Sequence, residues 1–549
     1  MNLIKASKGM RSGRKNQILT ESIRFQERLY ERMKSPDFPL MEKLKMVRII
    51  KGNIEEFCHL KLQKASMPNL YAIVQKIENL YTEINSYLVD RIRVDLPRNC
   101  HLNTILDEIE YEDHVPTVIK FRSEVDEKSK SFVARSTAIV FSCKVNDEDA
   151  RPAEDEILRI KVFTPKLILM IDEYIRKIED SYSENSINAM SFEKFEGRDN
   201  YTPDELENFF TFSNDMVFRT PYDSYNIILK FIKGRLESPK VHTILMTLYR
   251  TAFDSKIVDM ICEYSKRYKD GYLGKRIFVY VETTASGNEE LNKENVRRLS
   301  EAGVYVIYGS DYKVHAKMFV AIGMHDMWAH FSTGNYNEKS AGIYTDIQLI
   351  TKDRTKIIPA ITTFYEFIWG RASVSHNLSS TNCIWFSPID LKSVLIGLFR
   401  EQISLKDKGR IVLKVNSIAD DEILNYIYEA IESDVKVHII CRSICLIDPA
   451  YLWKPNVIVE SYCGRFLEHD RIYGFGDRYF IASADLSFRN MHKRVESFIE
   501  MTDQSCARYL KEVIENLPIE NPYKFVMCNT GEWKMVPSNV SSADTQNDE

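Results

Sequence analysis

The most constraining feature of this chain is a repeated order of motifs in its second half. In the first copy, the apolar run Gly303–Tyr308 leads to His315-Ala316-Lys317. A further strand ends in Thr333-Gly334-Asn335, and Tyr344-Thr345-Asp346 opens another apolar run to Ile350. In the second copy, Asn456–Glu460 leads to His469-Asp470-Arg471. The strand after it ends in Ser483-Ala484-Asp485, and Arg494-Val495-Glu496 opens a run to Ile499. Short apolar runs suited to buried strands (Val241–Thr247, Lys275–Glu282, 409–415, 435–441) alternate with helical stretches such as 254–268 and 289–302. Such alternation implies sheets with crossover helices.

Ahead of residue 206 the pattern differs. Residues 20–92 read as helices. Thr20 suits an N-cap for Glu21–Met33, Ser35-Pro36 with Pro39 breaks that helix, and a second starts at Met41. Leu44, Met46, Val47, Ile50 and Ile54, then Leu70, Ile73, Val74, Ile77, Leu80 and Tyr81, fall at helical spacing and read as bundle core. Residues 93–205 are mixed, with strands expected at Thr137–Ser142 and Ile157–Phe163, an acidic loop at Asn146–Glu156 and a helix at Lys166–Lys177. A chain of 549 residues exceeds one core, and three or four domains are the prior.

Each His-x-(Lys/Arg) opens a strand, where residues two apart share a face. One side chain can therefore attack phosphorus while its cationic neighbour holds phosphate oxygens. Asp346 and Glu496 are placed in sequence to orient an imidazole by accepting its Nδ1–H, and Asp346 is the expected partner of His315. A lone His-x-Lys reads more readily as a structural strand end; two copies in matching order favour catalysis. The alternative, two unrelated polar strand ends, predicts no shared geometry.

The paired motifs resemble the phospholipase D superfamily, although the Asp usual there is replaced by Ile322 and Gly476. Other motifs resemble, in the same order, polyphosphate kinases of the phosphohistidine type. They are Pro221-Tyr222-Asp223-Ser224, Thr247-Leu248-Tyr249-Arg250-Thr251, Thr333–Asn337, Tyr344-Thr345-Asp346, Arg465–His469 and Ser483-Ala484-Asp485 with Arg489-Asn490. Phe25–Arg28, Leu40–Leu44 and Asn53–Phe57 match in the helical region. The resemblance covers residues 17–520, least in 93–205. It implies a multidomain α+β protein with an N-terminal helical domain, a mixed α/β head domain and two phospholipase-D-like α/β domains. The implied boundaries are a flexible basic tail over 1–16, helices over 17–92 and a head over 93–205. Catalytic domains would occupy 206–372 and 373–525, with a tail over 526–549.

The resemblance also implies a transferase that moves the ATP γ-phosphate reversibly to inorganic polyphosphate, with Mg²⁺. By motif, His315 corresponds to the phosphorylated residue, with His469 and Lys317 as further catalytic residues. Asn53, Tyr344, Arg442 and His469 correspond to nucleotide-binding positions. Arg250 corresponds to one of two arginines at the magnesium–phosphate site; a guanidinium cannot ligate the metal, so it would act through phosphate oxygens. Ser286 stands where the second arginine falls. Either Lys293, Arg297 or Arg298 substitutes, or activity is weakened.

The remaining composition narrows the classes. No Walker-type phosphate loop occurs, and Gly271–Arg276 reads as a turn. Phosphate must then be gripped by Arg250, Lys317, Arg442 and Arg471, with Arg489 and Arg494 reading equally as surface charges. A net charge of −5 argues against a general nucleic-acid binder. The ten cysteines form no C-x-x-C pair or zinc spacing, and fit a reduced, cytoplasmic setting. No stretch of about 18 uncharged apolar residues occurs. Family analogy implies a homo-oligomer and peripheral membrane association. Two other readings stand beside the kinase: a phospholipase-D-like phosphodiesterase or nuclease, and a weakly active polyphosphate-binding paralogue.

Overall fold

The structure, a computed structural model, describes residues 2–60, 67–95, 118–121, 138–144, 157–199, 202, 214–267, 274–285, 287–370, 382–542 and 545. The expected loop at Asn146–Glu156, the turn at Gly271 and Ser286 itself lie outside the described residues. Two compact units divide at Lys194 and Phe195.

The N-terminal unit contains helices α1 (Asn2–Lys34), α2 (Leu40–Leu60) and α3 (Met67–Asp95). No proline interrupts residues 2–34, so α1 runs through both Thr20, expected as its cap, and the segment expected as a basic tail. It stops where Ser35-Pro36 was expected to stop it. Buried Lys43 donates to the carbonyls of Met33 and Ser35 at 2.7 and 3.1 Å, satisfying groups a helix end leaves open. Leu44, Val47, Ile50 and Ile54 of α2 and Ile73, Val74, Ile77, Leu80 and Tyr81 of α3 are buried, as the spacing predicts. Strands β1 (Val118–Phe121), β2 (Ala138–Lys144) and β3 (Ile157–Phe163) form an antiparallel sheet in the order β1-β3-β2.

The second unit is one architecture built twice. Its first half comprises β4 (Asp215–Thr220), β5 (Val241–Leu248), β6 (Arg276–Val281), β7 (Tyr305–Ile307), β8 (Lys313–Val314), β9 (Lys317–Gly323), β10 (Met327–Ser332) and β11 (Tyr344–Thr351). Its second half comprises β12 (Ile384–Ser387), β13 (Arg410–Ile418), β14 (Lys436–Cys445), β15 (Val457–Tyr462), β16 (Leu467–Glu468), β17 (Ile472–Phe475), β18 (Arg478–Ala482), β19 (Arg494–Glu500), β20 (Tyr523–Met527) and β21 (Trp533–Pro537). The order β11-β10-β9-β5-β6-β7, with β4 on β11, is repeated as β19-β18-β17-β13-β14-β15, with β12 on β19. Helices 256–267 and 289–301 cross between parallel strands of the first half, and 421–432 does so in the second.

The halves exchange a strand. β8 leaves the first half to pair in parallel with β19, and β16 leaves the second to pair in parallel with β11. Val314, Ala316 and Met318 share one core with Ile384, Phe386, Ile472 and Val495. The expected boundary at 525 is also corrected. β20 and β21 pair as a hairpin and β20 joins β15, so the chain after 525 is part of the second sheet. The hairpin was not expected because β21 is an edge strand whose residues stay partly or fully exposed.

Candidate active site

The strand exchange builds the site. The N–H groups of His315 and Ala316 both donate to the Val495 carbonyl, at 2.9 and 2.8 Å, fastening the His-bearing turn to β19. His315 Nδ1 then lies 2.7 Å from Glu496 Oε2, which also accepts from Ser483 Oγ at 2.6 Å. Lys317 Nζ stands 2.9 Å from both ring nitrogens, and the Tyr249 ring meets the imidazole edge-on at 4.6 Å. His315, Lys317 and Glu496 are all buried.

The other half mirrors this. His469 Nδ1 lies 2.8 Å from Asp346 Oδ1, which accepts from Thr333 Oγ1 at 2.7 Å. Arg471 Nη1 is 3.2 Å from His469 Nε2, while Asp485 holds the same guanidinium from Nε and Nη2 at 3.2 and 3.3 Å. The Tyr344 ring lies 5.3 Å from the His469 ring, tilted by 40°. The carboxylates are therefore crossed. Asp346 does not hold His315, as expected from sequence order; it holds His469, and Glu496 of the second half holds His315. Order along the chain cannot distinguish the two pairings, because the exchanged strands β8 and β16 are only two residues long.

The turn motif also acquires a reason. A Cβ on Gly334 would fall on the Asp346 carboxylate, so the turn needs glycine there. Thr333 and Ser483 occupy matching places in the repeat, and each hydroxyl steadies the carboxylate of its own half. Sequence reading passed over both, although their shared position was the available signal.

Burial and then the Lys317, Arg494, Arg471 and His469 charges push His315 well below the usual imidazole range. Burial likewise brings His469 down to about 4, against the pull of Asp346. Both rings are therefore neutral at neutral pH. Glu496 is raised by burial despite Lys317 and Arg494, whereas His469, Thr333 and Arg471 overcome burial to lower Asp346. Burial depresses Lys317 as well, with Arg471 and Arg494 acting in the same sense and the Glu496 and Asp346 carboxylates opposing it.

Of the other expected phosphate-gripping residues, Arg250 follows β5 with its guanidinium 5.9 Å from the Tyr249 ring. Arg442 lies on β14, where its charge acts on His469. Arg494 is half-buried with Nη1 3.6 Å from Glu496 Oε1, so it belongs to the site rather than the solvated surface. Arg489 is exposed along its length, but its guanidinium is lowered by burial and by Arg494, against Tyr249, Glu496 and Asp485, so its charge also faces the site. Lys313 was missed: its Nζ donates to the Thr284 carbonyl at 2.6 Å and lies 5.6 Å from the Tyr249 ring. Lys293, Arg297 and Arg298 pair with Glu290, Glu294 and Asp259 at 2.7, 2.6 and 2.5 Å. Asn53 lies on α2 of the N-terminal unit, its amide donating to Gln26 Oε1 at 3.1 Å. Among the described residues no group of three or more His, Cys, Asp or Glu is set to hold a metal. No described helix is long and apolar enough to cross a membrane.

Two copies of one α/β sheet, each bringing a His-x-(Lys/Arg) strand to a shared junction, define a phospholipase-D-like core. "Polyphosphate kinase C-terminal domain 1" matches residues 210–374 and "Polyphosphate kinase C-terminal domain 2" matches residues 384–546. This chain belongs to the polyphosphate kinase 1 family. It is 33% identical over 362 residues to a polyphosphate kinase of Campylobacter jejuni subsp. doylei, covering 63% of this chain and 51% of that protein. It is likewise 33% identical over 345 residues to one from Staphylococcus saprophyticus, covering 60% and 46%. The chain thus matches about half the length of these relatives. The crystal structure of a polyphosphate kinase from Porphyromonas gingivalis shares the fold with a TM-score of 0.67 at 19% identity, over 96% of this chain and 97% of that one.

Proposed function

We propose that this chain transfers the γ-phosphoryl group of ATP through His315 to the end of inorganic polyphosphate, ATP + polyphosphate(n) ⇌ ADP + polyphosphate(n+1). The observation that carries this reading is a buried, neutral imidazole whose Nδ1 is engaged by Glu496 at 2.7 Å. With Nδ1–H donated to the carboxylate, the Nε2 lone pair is the nucleophile. As Nε2 bonds to phosphorus, the bond from phosphorus to the ADP oxygen breaks. The terminal oxygen of polyphosphate then attacks, and the phosphorus–nitrogen bond breaks. Lys317 and Arg471 stabilise charge on the transferring oxygens, and His469 serves the leaving or entering oxygen.

Nucleotide contacts fall to Tyr344, Arg442 and His469 beside this junction. Magnesium enters as part of the nucleotide substrate. The carboxylates beside the two histidines are taken up by the imidazoles, and the cations present, Arg250 among them, suit phosphate oxygens instead.

Incubation with γ-labelled ATP is expected to give an acid-labile, alkali-stable phosphoprotein, and primer-dependent ADP release. Label that persists in His315→Ala would remove the nucleophile from this residue. Ser286, standing where the resemblance implies a second arginine, favours one other reading, a polyphosphate-binding paralogue of low activity. That protein would bind polyphosphate without forming ADP.

A further inference from the structure

The two histidine strands are anchored by different physics. Along each strand alternate residues face opposite ways. Behind His315 the flanking residues are Val314 and Ala316, both in the shared apolar core. Behind His469 they are Glu468 and Asp470, also buried, and they meet charges instead. Arg219, on β4 of the first half, reaches across with Nη2 3.0 Å from Glu468 Oε2 and Nε 2.9 Å from Asp470 Oδ2. Its third nitrogen, Nη1, donates to Glu520 Oε2 at 2.6 Å, at the end of helix 504–520. Lys414 of β13 pairs with the same two acids, at 2.8 Å from Glu468 and in direct contact with Asp470. Glu468 Oε2 further accepts from Thr345 Oγ1 at 3.2 Å, and that hydroxyl accepts the His469 N–H at 3.1 Å.

We infer that Arg219 is a positioning residue for His469. It clasps the acids on either side of that histidine and ties its strand to the opposite half. Arg219 is 1% exposed, and its planar fork can serve three carboxylates at fixed angles, which a lysine cannot reproduce. Its neighbours on β11 hold the other end of the same geometry. Ile347, paired with Arg219 across the β4–β11 ladder, directly follows Asp346, the carboxylate on His469. Losing the clasp leaves two buried acids with the Lys414 ammonium and, at Glu468, the Thr345 hydroxyl, and frees the His469 segment to shift relative to Asp346. His315, anchored by apolar contacts, should not feel the change.

The inference rests on the kinase reading only for its kinetic consequence, so the primary test does not require activity. In the full chain labelled with ¹⁵N-histidine, the His469 and His315 ring resonances are assigned from the single variants His469→Gln and His315→Gln. Arg219→Met is expected to move the His469 nitrogen shifts, with its Nδ1–H exchanging faster, and to leave those of His315 in place. Arg219→Lys should fall between. Glu520→Gln, which neutralises the one half-buried partner of the clasp, is the milder variant and should move His469 in the same sense if Arg219→Met does not fold. Unchanged His469 signals in these variants, or equal movement of both histidines, would overturn the inference. Steady-state, primer-dependent ADP formation in Arg219→Lys should be slowed by at least about tenfold in kcat, with little change in KM. If wild-type protein takes no label, the kinase reading falls, while the imidazole spectra still decide the role of Arg219.

Discussion

A buried imidazole gives up its proton more readily than one in water, because its ionised form loses hydration. At this junction the effect keeps both imidazoles neutral well into acid, with His469 at about 4 and His315 also depressed. Single-turnover labelling should therefore stay flat from pH 8 to about pH 5.5, where an ordinary imidazole would already be about tenfold down. A fall centred near pH 6.5 in the measured rates would mean that the rings are solvated. Linkage gives a stability prediction with the same sign. Between pH 6.5 and 4 the unfolded chain binds a proton at residue 469 that the folded chain does not, so stability falls as pH falls through that window. Between pH 7 and pH 5 His469 should account for about 2 kcal/mol of that loss, and urea unfolding of His469→Asn should show a correspondingly shallower acid slope. The crossed carboxylates make a further distinction. Glu496→Gln removes the carboxylate that engages His315 and, on the proposed mechanism, should slow labelling of that residue by about 10²-fold. Asp346→Asn acts on His469 and should instead slow the step that uses it. Equal labelling rates in wild type and Glu496→Gln would leave the dyad without a role in phosphoryl transfer.

Elements with clear periodicity were legible in the sequence, and those without it were not. α2 and α3, the strands β5, β6, β13 and β14 and the helices crossing between them follow from apolar spacing. The two-residue strands β8 and β16 carry no period to read, and their partners lie in the other half of the chain, so the exchange was invisible. The repeat showed that two histidines, two cations and two carboxylates belong together; only the folded backbone shows which carboxylate meets which ring. Arg219 was missed because nothing around it marks a charged residue as buried; its partners lie more than two hundred residues away. Lys356 is a similar case, fully buried between Asp215 of β4 and Asp353, at 2.9 and 2.6 Å. It ties helix 354–363 to the strand that carries Arg219. Lys356→Ala leaves Asp215 buried without its cation, and should cost about 3–5 kcal/mol in urea unfolding. A loss under about 1 kcal/mol would indicate that water reaches the pair.

At the scale of the whole second unit, the duplication has not produced two independent domains. Each half contributes a histidine and a carboxylate, but the carboxylate serves the other half's histidine. Each half also lends a strand to the other's sheet and packs Val314, Ala316, Ile472 and Val495 into a common core. Divided between residues 370 and 382, the unit would yield one fragment with His315 and Asp346 and another with His469 and Glu496. The first alone has His315 without the carboxylate that engages it, and exposes apolar surface that the intact chain buries. It should take no label from ATP. Adding the second fragment restores the missing strand, the core and Glu496 together, so labelling should return with a midpoint set by fragment concentration, as association supplies what the covalent link otherwise provides. A first fragment labelled at the rate of the intact chain would mean that the crossed geometry is dispensable, and that each half is a site in its own right.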